Sequence, residues 1–212
     1  MKAPRSPTAK FRAREYSTTE ASAVTGVPLA TLNHYISREL TPLGIAVWGD
    51  GKRSITYDGL VALRMAYAYP KLLAPGSRSE VIEKALRASR KKYLTLENGR
   101  VIVRIDVARR VVSEGLRKLA QAKSAVTVDA GVLGGEPCLR GTRIPVHTVA
   151  GIATTVSVDE AKLTYSKLTK AQIELACFYA KAYPRRGRPK RVGDFLANVK
   201  PTSSRTFSVR ID

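Results

Sequence analysis

The chain has 212 residues, of which 44% are hydrophobic, and its net charge is +20, so it is long enough for one large domain or two small ones and is strongly basic. No apolar run approaches the ~18–20 residues that span a bilayer, and no apolar stretch follows the basic N-terminus, so we expect neither a membrane protein nor a secreted one. Cys138 and Cys177 are its only cysteines, which favours the reducing cytoplasm.

The positive charge is distributed unevenly along the chain. Residues 1–125 contain 23 basic and 10 acidic side chains, residues 126–180 contain 5 of each, and residues 181–212 contain 9 basic and 2 acidic ones. A neutral segment therefore lies between two basic ones. Such a charge attracts polyanions, so nucleic acid is the expected partner. The alternative is that this chain is simply a basic protein without a specific partner.

The N-terminal residues predict an arm followed by a helix. Residues 1–14 combine two prolines and five basic side chains with few apolar ones, which is typical of a flexible segment. Ser17 and Glu20 then form a capping box, so a helix is expected to begin near residue 17. It is expected to end at Gly26, because glycine commonly terminates helices.

A second helix is predicted over residues 28–38. Pro28 favours the first helical position, and apolar residues follow at spacings of three and four. These residues, Leu29, Leu32 and Ile36, are expected to point inward. The residues left on the outer faces are Ala30, Thr31, Asn33, His34 and Arg38.

Residues 45–57 predict a β-hairpin, because two loosely alternating apolar runs flank Asp50-Gly51. Two helices joined by a tight turn and followed by a basic hairpin are typical of a winged helix-turn-helix. In that fold a helix enters the major groove and the wing contacts phosphates. Asparagine can form a bidentate pair with adenine. The predicted DNA-binding residues are Thr31, Asn33, His34, Arg38, Lys52 and Arg53.

Residues 16–57 resemble the MerR-like family of DNA-binding regulators, in the segments YSTTEASAVTGVPLATLNHY and KRSITYDGLVAL. The resemblance implies a winged helix-turn-helix. Where family members commonly have Arg before the aromatic residue of the second helix, this chain has Asn33-His34-Tyr35, so the family's base contacts do not transfer directly. The alternatives are a small helical domain with a similar turn, and His34 as a buried packing residue.

The next segment predicts helices over 58–69 and 77–93 and a second hairpin around the Asn-Gly pair at 98–99. Asp106 is expected to cap a helix over 107–122. The inner face of that helix is expected to consist of Val107, Val111, Val112, Leu116 and Leu119.

A composition change at residues 123–124 predicts a domain boundary. The second domain is expected to begin with a strand over 126–129 and to end with three helices, over 146–155, 158–166 and 170–183. Two capping pairs precede the last two helices, Ser157 with Glu160 and Thr169 with Gln172.

The glycine-rich run GGEPCLRGTRIPV, over 134–146, is the most distinctive motif of the chain. Its glycines permit turns that are closed to other residues, and its prolines restrict the backbone. Arg140 and Arg143 are expected to form fixed hydrogen bonds to carbonyl or carboxylate oxygens, with a purely structural loop as the alternative. A phosphate-binding loop is disfavoured, because the Gly-x-x-x-x-Gly-Lys-[Ser/Thr] spacing is missing. The motif residues are Gly134, Gly135, Pro137, Arg140, Gly141, Thr142, Arg143 and Pro145.

With its following helices, this motif resembles a small bacterial domain family of unassigned function that carries GG-x-P-x-[IL]-R-G-T-R-I-P-V. The resemblance covers about residues 126–183 and implies a homeodomain-like three-helix domain. The order of the two segments is similar to that of VapB-type antitoxins. This similarity implies a PIN-like ribonuclease toxin as partner, a homodimer, and repression of the protein's own operon through double-stranded operator DNA.

The basic tail over 185–212 has two interpretations. Arg186, Gly187, Arg188 and Pro189 resemble the core of an AT-hook, in which Arg-Gly-Arg lies in a narrow minor groove. The favoured interpretation is a segment that becomes ordered on the toxin, where an inserted arginine displaces metal charge. The residues expected to contact the toxin are Arg188, Phe195, Leu196, Arg205 and Arg210.

No catalytic residue, metal site or cofactor is predicted. His34 and His147 are the only histidines, neither has ligand spacing to other metal-binding residues, and acidic residues are scattered. We expect His147 and Cys177 to be packing residues. The favoured function is an antitoxin and autorepressor in the cytoplasm, associated with the nucleoid. A stand-alone MerR-like regulator is the alternative and a nuclease a remote one.

The fold class expected is mainly α. It comprises a MerR-like winged helix-turn-helix with small β-hairpins, a C-terminal homeodomain-like domain of three helices, and a flexible basic tail. The predicted domain bounds are 1–14 for the arm, 15–123 for the DNA-binding domain with its extension, 124–184 for the small helical domain, and 185–212 for the tail.

Overall fold

The computed structural model describes residues 14–37, 46–49, 52–68, 80, 83–84, 92–96 and 101–185, and only the backbone of residues 46–49, 52, 96 and 101. This part of the chain is mainly helical, with short antiparallel strand pairings, which confirms the expected fold class. None of the helices within it is long and apolar enough to cross a membrane. The arm, most of the helix predicted over 77–93, and the tail from residue 186 lie outside the described residues.

The first helix forms where the capping pattern predicts it, and the second begins one residue later than expected. α1 (Thr18–Thr25) begins after Ser17, whose hydroxyl accepts a hydrogen bond from the backbone N–H of Glu20 at 3.2 Å. The Glu20 carboxylate in turn accepts from the Ser17 N–H at 3.0 Å, which completes the capping box. The helix ends at Gly26, whose φ of 72° lies in the left-handed region. α2 (Leu29–Tyr35) follows it, with Pro28 as its N-cap rather than its first helical residue, because the extended ψ of Pro28, 138°, lies outside the helical region.

A three-stranded antiparallel sheet accompanies these helices. It consists of β1 (Tyr16–Ser17), β2 (Ala46–Gly49) and β3 (Lys52–Ile55), with β3 in the centre. Gly49 pairs with Lys52, so only two residues connect β2 to β3, and the predicted hairpin is confirmed. The first strand places the start of α1 directly beside the hairpin.

The next elements are α3 (Tyr57–Ala68), the hairpin of β4 (Tyr93–Leu96) and β5 (Val101–Arg104), and the long helix α4 (Ile105–Ser124). The two strands pair antiparallel with Leu96 opposite Val101, as the Asn-Gly pair predicts. Their inward side chains join the core formed by α1, α2, α3 and α4. The helix predicted from residue 58 and the second hairpin are thus confirmed.

Two predictions for the start of α4 are wrong. The N-cap is Arg104 rather than Asp106, because the helix begins two residues earlier than expected. Asp106 lies in the first turn and forms an ion pair with Arg104 at 2.6 Å. Val107 is 44% exposed, although it was expected on the inner face. Its neighbour Ala108 occupies the buried stripe instead, since that stripe runs from Ile105 at spacings of three and four.

The C-terminal module begins with a short antiparallel pair, β6 (Val126–Thr127) and β7 (Cys138–Leu139). Three helices follow, α5 (Val146–Thr155), α6 (Val158–Thr164) and α7 (Lys170–Ala182), close to the predicted bounds. The predicted strand was longer than the observed one. Both expected caps are present, with Ser157 accepting from the Glu160 N–H and Thr169 forming a capping box with Gln172.

Helix α7 packs against both halves of the chain. Ile173 and Ala176 lie in the module's own core with residues of α5 and α6. Ala182, the last residue of the helix, is fully buried in the core formed by α1 to α4. The predicted boundary at residues 123–124 falls in the last turn of α4 and stays a prediction, because α7 packs across it.

The contact between α1 and α4 depends on Gly115. A Cβ atom at this position would lie 2.3 Å from the carbonyl oxygen of Val24, well inside van der Waals contact. The backbone of α1 therefore approaches α4 at a point where only glycine fits.

We expect Gly115→Ala to lower the free energy of unfolding by about 1–3 kcal/mol, because the added methyl group overpacks this contact. The sign of this change is informative, because Gly→Ala at an exposed position within a helix would raise the free energy of unfolding by about 1 kcal/mol. Urea denaturation measures the effect. Gln121→Ala, at an exposed site of the same helix, is the control and should change stability by less than about 0.5 kcal/mol. An unchanged or increased stability of Gly115→Ala would contradict the close approach.

Candidate nucleic-acid interface

Helix α2 exposes the polar side chains that were predicted to contact DNA. Asn33 and His34 are exposed and Thr31 is half-buried. Leu32 and Ile36 are fully buried and fasten the opposite face to the core. The alternative of a buried His34 is therefore wrong, and α2 presents an amide and an imidazole to solvent.

Leu29 does not point inward as expected. It is 39% exposed, at the first residue of α2. The preceding turn explains this difference, because Val27 is fully buried and takes the core position that the periodicity assigned to Leu29. An exposed leucine beside Asn33 gives the outer face of α2 an apolar element next to its polar ones.

The turn between α1 and α2 is held by side-chain hydrogen bonds. The Ser22 hydroxyl donates to the Val27 carbonyl at 2.7 Å, and the Thr25 hydroxyl accepts from the Val27 N–H at 3.3 Å. The Arg64 guanidinium, from α3, donates to the Thr25 carbonyl at 3.3 Å. Because these groups connect both ends of the turn to its surroundings, the orientation of α2 relative to α1 is well defined.

The hairpin lies beside the end of α2. The guanidinium of Arg53 donates to the Ser37 hydroxyl at 3.1 Å, which links β3 to the residues that follow α2. On the other side of the same strand, the Ser54 hydroxyl donates to the Glu15 carboxylate at 2.5 Å. Lys52 is the first residue of β3, and its side chain lies outside the described part, as does Arg38 entirely.

The predicted DNA-binding residues therefore fall into two groups. Thr31, Asn33 and His34 share α2, and Arg53 is tied to the segment that follows it. The Arg53–Ser37 hydrogen bond joins the hairpin to the end of α2, and Lys52 precedes Arg53 in β3. A helix with exposed polar side chains and an adjoining basic strand can contact base edges and phosphates at the same time.

A buried carboxylate holds the start of α1 in place. Glu20 is only 6% exposed. Its carboxylate accepts hydrogen bonds from Lys123 Nζ at 2.9 Å, from Arg14 Nη2 at 3.3 Å and from the Tyr183 hydroxyl. Lys123 belongs to the last turn of α4 and Tyr183 follows α7. Sequence analysis identified Glu20 only as a capping residue and missed these distant partners.

The protonation states of this cluster follow from its surroundings. Burial by itself would raise the pKa of Glu20, but the hydrogen bonds from Tyr183, Ser17 and Lys123 outweigh it, and the pKa lies below its ordinary value. Burial and the neighbouring Glu20 carboxylate both raise the pKa of Tyr183. Glu20 is therefore charged and Tyr183 neutral at pH 7, so that the phenol donates the hydrogen bond.

The glycine-rich motif is largely a structural loop. Gly134, Gly135 and Gly141 all have φ between 66° and 83°, in the left-handed region that favours glycine. The Pro137 carbonyl accepts from the Val146 N–H at 2.9 Å, and Pro145 is the N-cap of α5. The motif thus builds the turns that connect β7 to α5.

The polar side chains of the motif have different roles. Arg140 Nε donates to the Ser124 carbonyl at 2.6 Å, which fastens the loop to the end of α4 and confirms the expected fixed hydrogen bond. The Thr142 hydroxyl donates to the Leu139 carbonyl at 2.8 Å and closes the turn. Arg143 is exposed, and within the described residues its guanidinium has no hydrogen bond or ion pair, so the prediction for it is wrong.

The motif also holds the residue at which the tail begins. The Glu136 carboxylate forms an ion pair with the Arg185 guanidinium. Sequence analysis assigned Arg185 to the tail alone and did not connect it to the motif. Since Pro184 restricts the backbone between Tyr183 and Arg185, the chain leaves α7 from a point that is held on both sides.

The two remaining candidates of the sequence are packing residues, as expected. His147 is half-buried, its ring lies edge-on to Tyr179 at 6.2 Å, and burial lowers its pKa. Cys177 packs against the module's core, and burial raises the pKa of its thiol. Over the described ranges, no group of three or more His, Cys, Asp or Glu side chains could hold a metal ion.

Comparisons with known proteins bear mainly on the module. Residues 126–180 match the model of a family described as a protein of unknown function, DUF433. The uncharacterized protein y4eO of Sinorhizobium fredii is 39% identical over 102 residues, which are 48% of this chain and 46% of that protein. The chain thus spans about half the length of this relative. The match supports the family resemblance of the glycine-rich motif, and the MerR-like and VapB-type resemblances stay predictions.

One solved structure is similar. The crystal structure of Rv2018 from Mycobacterium tuberculosis is 16% identical, and the alignment covers 76% of this chain and 96% of that one. Its TM-score of 0.26 is too low to support an inference about fold or function.

We expect the buried carboxylate to make stability depend on pH. Because the folded-state pKa of Glu20 is lowered, its contribution is fully present above the ordinary pKa of 4.5 and is lost as the pH falls through the folded-state pKa. At pH 7 the free energy of unfolding of Glu20→Gln should therefore be about 2 kcal/mol lower than that of the wild type. This difference should shrink as the pH falls towards 3.

Urea denaturation at several pH values tests this expectation. Glu174→Gln, at an exposed site of α7, is the matched control and should change little at any pH. A difference between Glu20→Gln and wild type that stays constant from pH 7 to pH 3 would show that the Glu20 charge does not hold the cluster together.

Proposed function

We propose that this protein is a DNA-binding transcription regulator in which α2 is the recognition helix, and that it serves as the antitoxin of a type II toxin–antitoxin pair. The observation that carries the DNA-binding part is the outer face of α2, where Asn33 and His34 are exposed beside a basic β-hairpin. An α-helix fits the major groove, and asparagine can pair with an adenine edge there. Arg53, and Lys52 next to it, contact the flanking phosphates.

Charge supports the same proposal. The chain has 37 basic and 17 acidic side chains, and the net positive charge lies on both sides of the neutral module. Phosphate contacts of Lys and Arg release counterions, so such a protein binds duplexes with an affinity that falls steeply with salt. The exposed Leu29 at the start of α2 suits contact with a thymine methyl group.

We expect the wild-type protein to select a preferred duplex from a random-sequence pool at low salt. Asn33→Ala should weaken binding to that duplex by about 10- to 100-fold and relax the base preference at one position, because one bidentate contact is lost. The slope of affinity against salt concentration should stay the same, since no phosphate contact is removed.

The control for Asn33→Ala is Gln121→Ala, which removes an exposed amide on α4. Its affinity and base preference should equal those of the wild type. Binding that is indifferent to both sequence and salt would contradict recognition by α2.

The antitoxin part rests on the order of the segments and on the tail. A MerR-like segment precedes a module that matches a family of unknown function, and residues 181–212 carry 9 basic and 2 acidic side chains. A metal-dependent ribonuclease of the PIN-like class has an acidic centre, and a basic segment that becomes ordered on binding suits such a partner. The protein acts as a homodimer that represses its own operon in the cytoplasm.

We expect deletion of residues 186–212 to abolish inhibition of the toxin and to leave most of the operator affinity. The deletion begins after Arg185 because that residue pairs with Glu136. Co-purification from the native host, followed by mass measurement, identifies the partner. The matched variant Arg186→Ala/Arg188→Ala tests the AT-hook interpretation, and loss of DNA affinity with intact toxin inhibition would assign the tail to the minor groove.

The same experiments separate the other functions. A ligand that changes DNA affinity in the absence of any protein partner would favour a stand-alone regulator. Metal-dependent hydrolysis of nucleic acid by the purified chain would favour a nuclease.

A further inference from the structure

Helix α7 is shared between two hydrophobic cores. Its first half contributes Ile173 and Ala176 to the module over 126–180, which matches the family of unknown function. Its last residue, Ala182, is fully buried in the core to which α1 and α4 contribute, and Phe178 packs on the same core. The module therefore completes the core from which the proposed recognition helix projects.

Polar and aromatic contacts fasten the end of α7 to that core. The Tyr183 hydroxyl donates to the buried Glu20 carboxylate, and Lys123 Nζ lies 5.0 Å from the centre of the Tyr183 ring. One turn earlier, Lys118 Nζ lies 5.6 Å from the centre of the Phe178 ring. Both lysines belong to α4, so α7 is held along its C-terminal half by cation–π contacts and at its end by a hydrogen bond to a charged group.

The contact at Glu20 leads directly to α2. Glu20 is the third residue of α1, a helix of 8 residues that extends about 12 Å. The other end of α1 is connected to α2 by the Ser22–Val27 hydrogen bond and by the left-handed Gly26. Because helices move as rigid bodies, a displacement of the N-terminal end of α1 also displaces α2.

We propose that the C-terminal module supports the recognition helix, and that Tyr183 and Glu20 are positioning residues for DNA binding although neither contacts DNA. This inference rests on the proposed function of α2 and assigns a role to the module that its family description lacks. The tail begins at this support, because Arg185 is paired with Glu136 of the glycine-rich loop. A partner that binds the tail therefore acts on the element that positions α2.

The test is Tyr183→Phe in the full-length chain, with the duplex that the wild type selects as probe. Affinity should fall about three- to tenfold, the size of coupling that packed elements transmit. The slope of affinity against salt should stay unchanged, because no phosphate contact is lost. Tyr165→Phe is the matched control, because Tyr165 is half-buried against the module's own core, and this variant should bind as the wild type does.

Two further measurements distinguish positioning from general loss of stability. Hydrogen exchange of the amides of α1 and α2 should become faster in Tyr183→Phe while exchange in α5 stays the same, at a temperature where both proteins are folded. In a double-mutant cycle, Glu20→Gln and Tyr183→Phe should be non-additive for DNA affinity, because they remove the same hydrogen bond.

Wild-type affinity and wild-type exchange rates in Tyr183→Phe would overturn the support role. If the wild-type chain binds no duplex at any salt concentration, the proposed function fails, and the hydrogen-exchange comparison still decides whether the module supports α2. Additive effects of the two substitutions would also count against a shared hydrogen bond.

Discussion

The fold depends on a carboxylate that is withdrawn from water. Removing Glu20 from solvent costs free energy unless hydrogen-bond donors replace the water that it loses. Its donors come from β1, from the end of α4 and from the residue after α7. These elements must therefore meet at one point for the carboxylate to be buried. The start of α1, the end of the long helix and the end of the module are held together by this requirement.

This constraint explains how a neutral module relates to its basic neighbours. The module has an apolar core of its own, to which Ile173 and Ala176 belong, whereas Ala182 at the end of α7 belongs to the other core. Its most distinctive residues are also used within the chain. Arg140 binds the end of α4, Thr142 closes a turn and the motif glycines adopt left-handed backbone. These residues thus make contacts within the chain, which join the module to the helix that precedes it.

The candidate DNA-binding surface has the opposite character. The turn between α1 and α2 is fixed by hydrogen bonds that involve the side chains of Ser22, Thr25 and Arg64. On the outer face of α2, Asn33 and His34 are exposed to solvent. A rigid support with exposed polar side chains suits recognition of a preformed surface, because little conformational entropy is lost on binding. The same rigidity means that contacts far from the surface, such as those at Tyr183, bear on its orientation.

Local signals in the sequence determined the helices, the hairpins and the polar face of α2, because capping boxes, Asn-Gly and Asp-Gly pairs and apolar spacing act within a few residues. Packing decided which side chains are buried at the helix starts, so Leu29 and Val107 are exposed although their spacing predicted that they point inward. The N-cap of α4 is likewise Arg104 and not Asp106. Glu20 lies 103 residues from Lys123 and 163 from Tyr183. No local pattern encodes such a contact, since it exists only once separate helices have packed around a common buried charge.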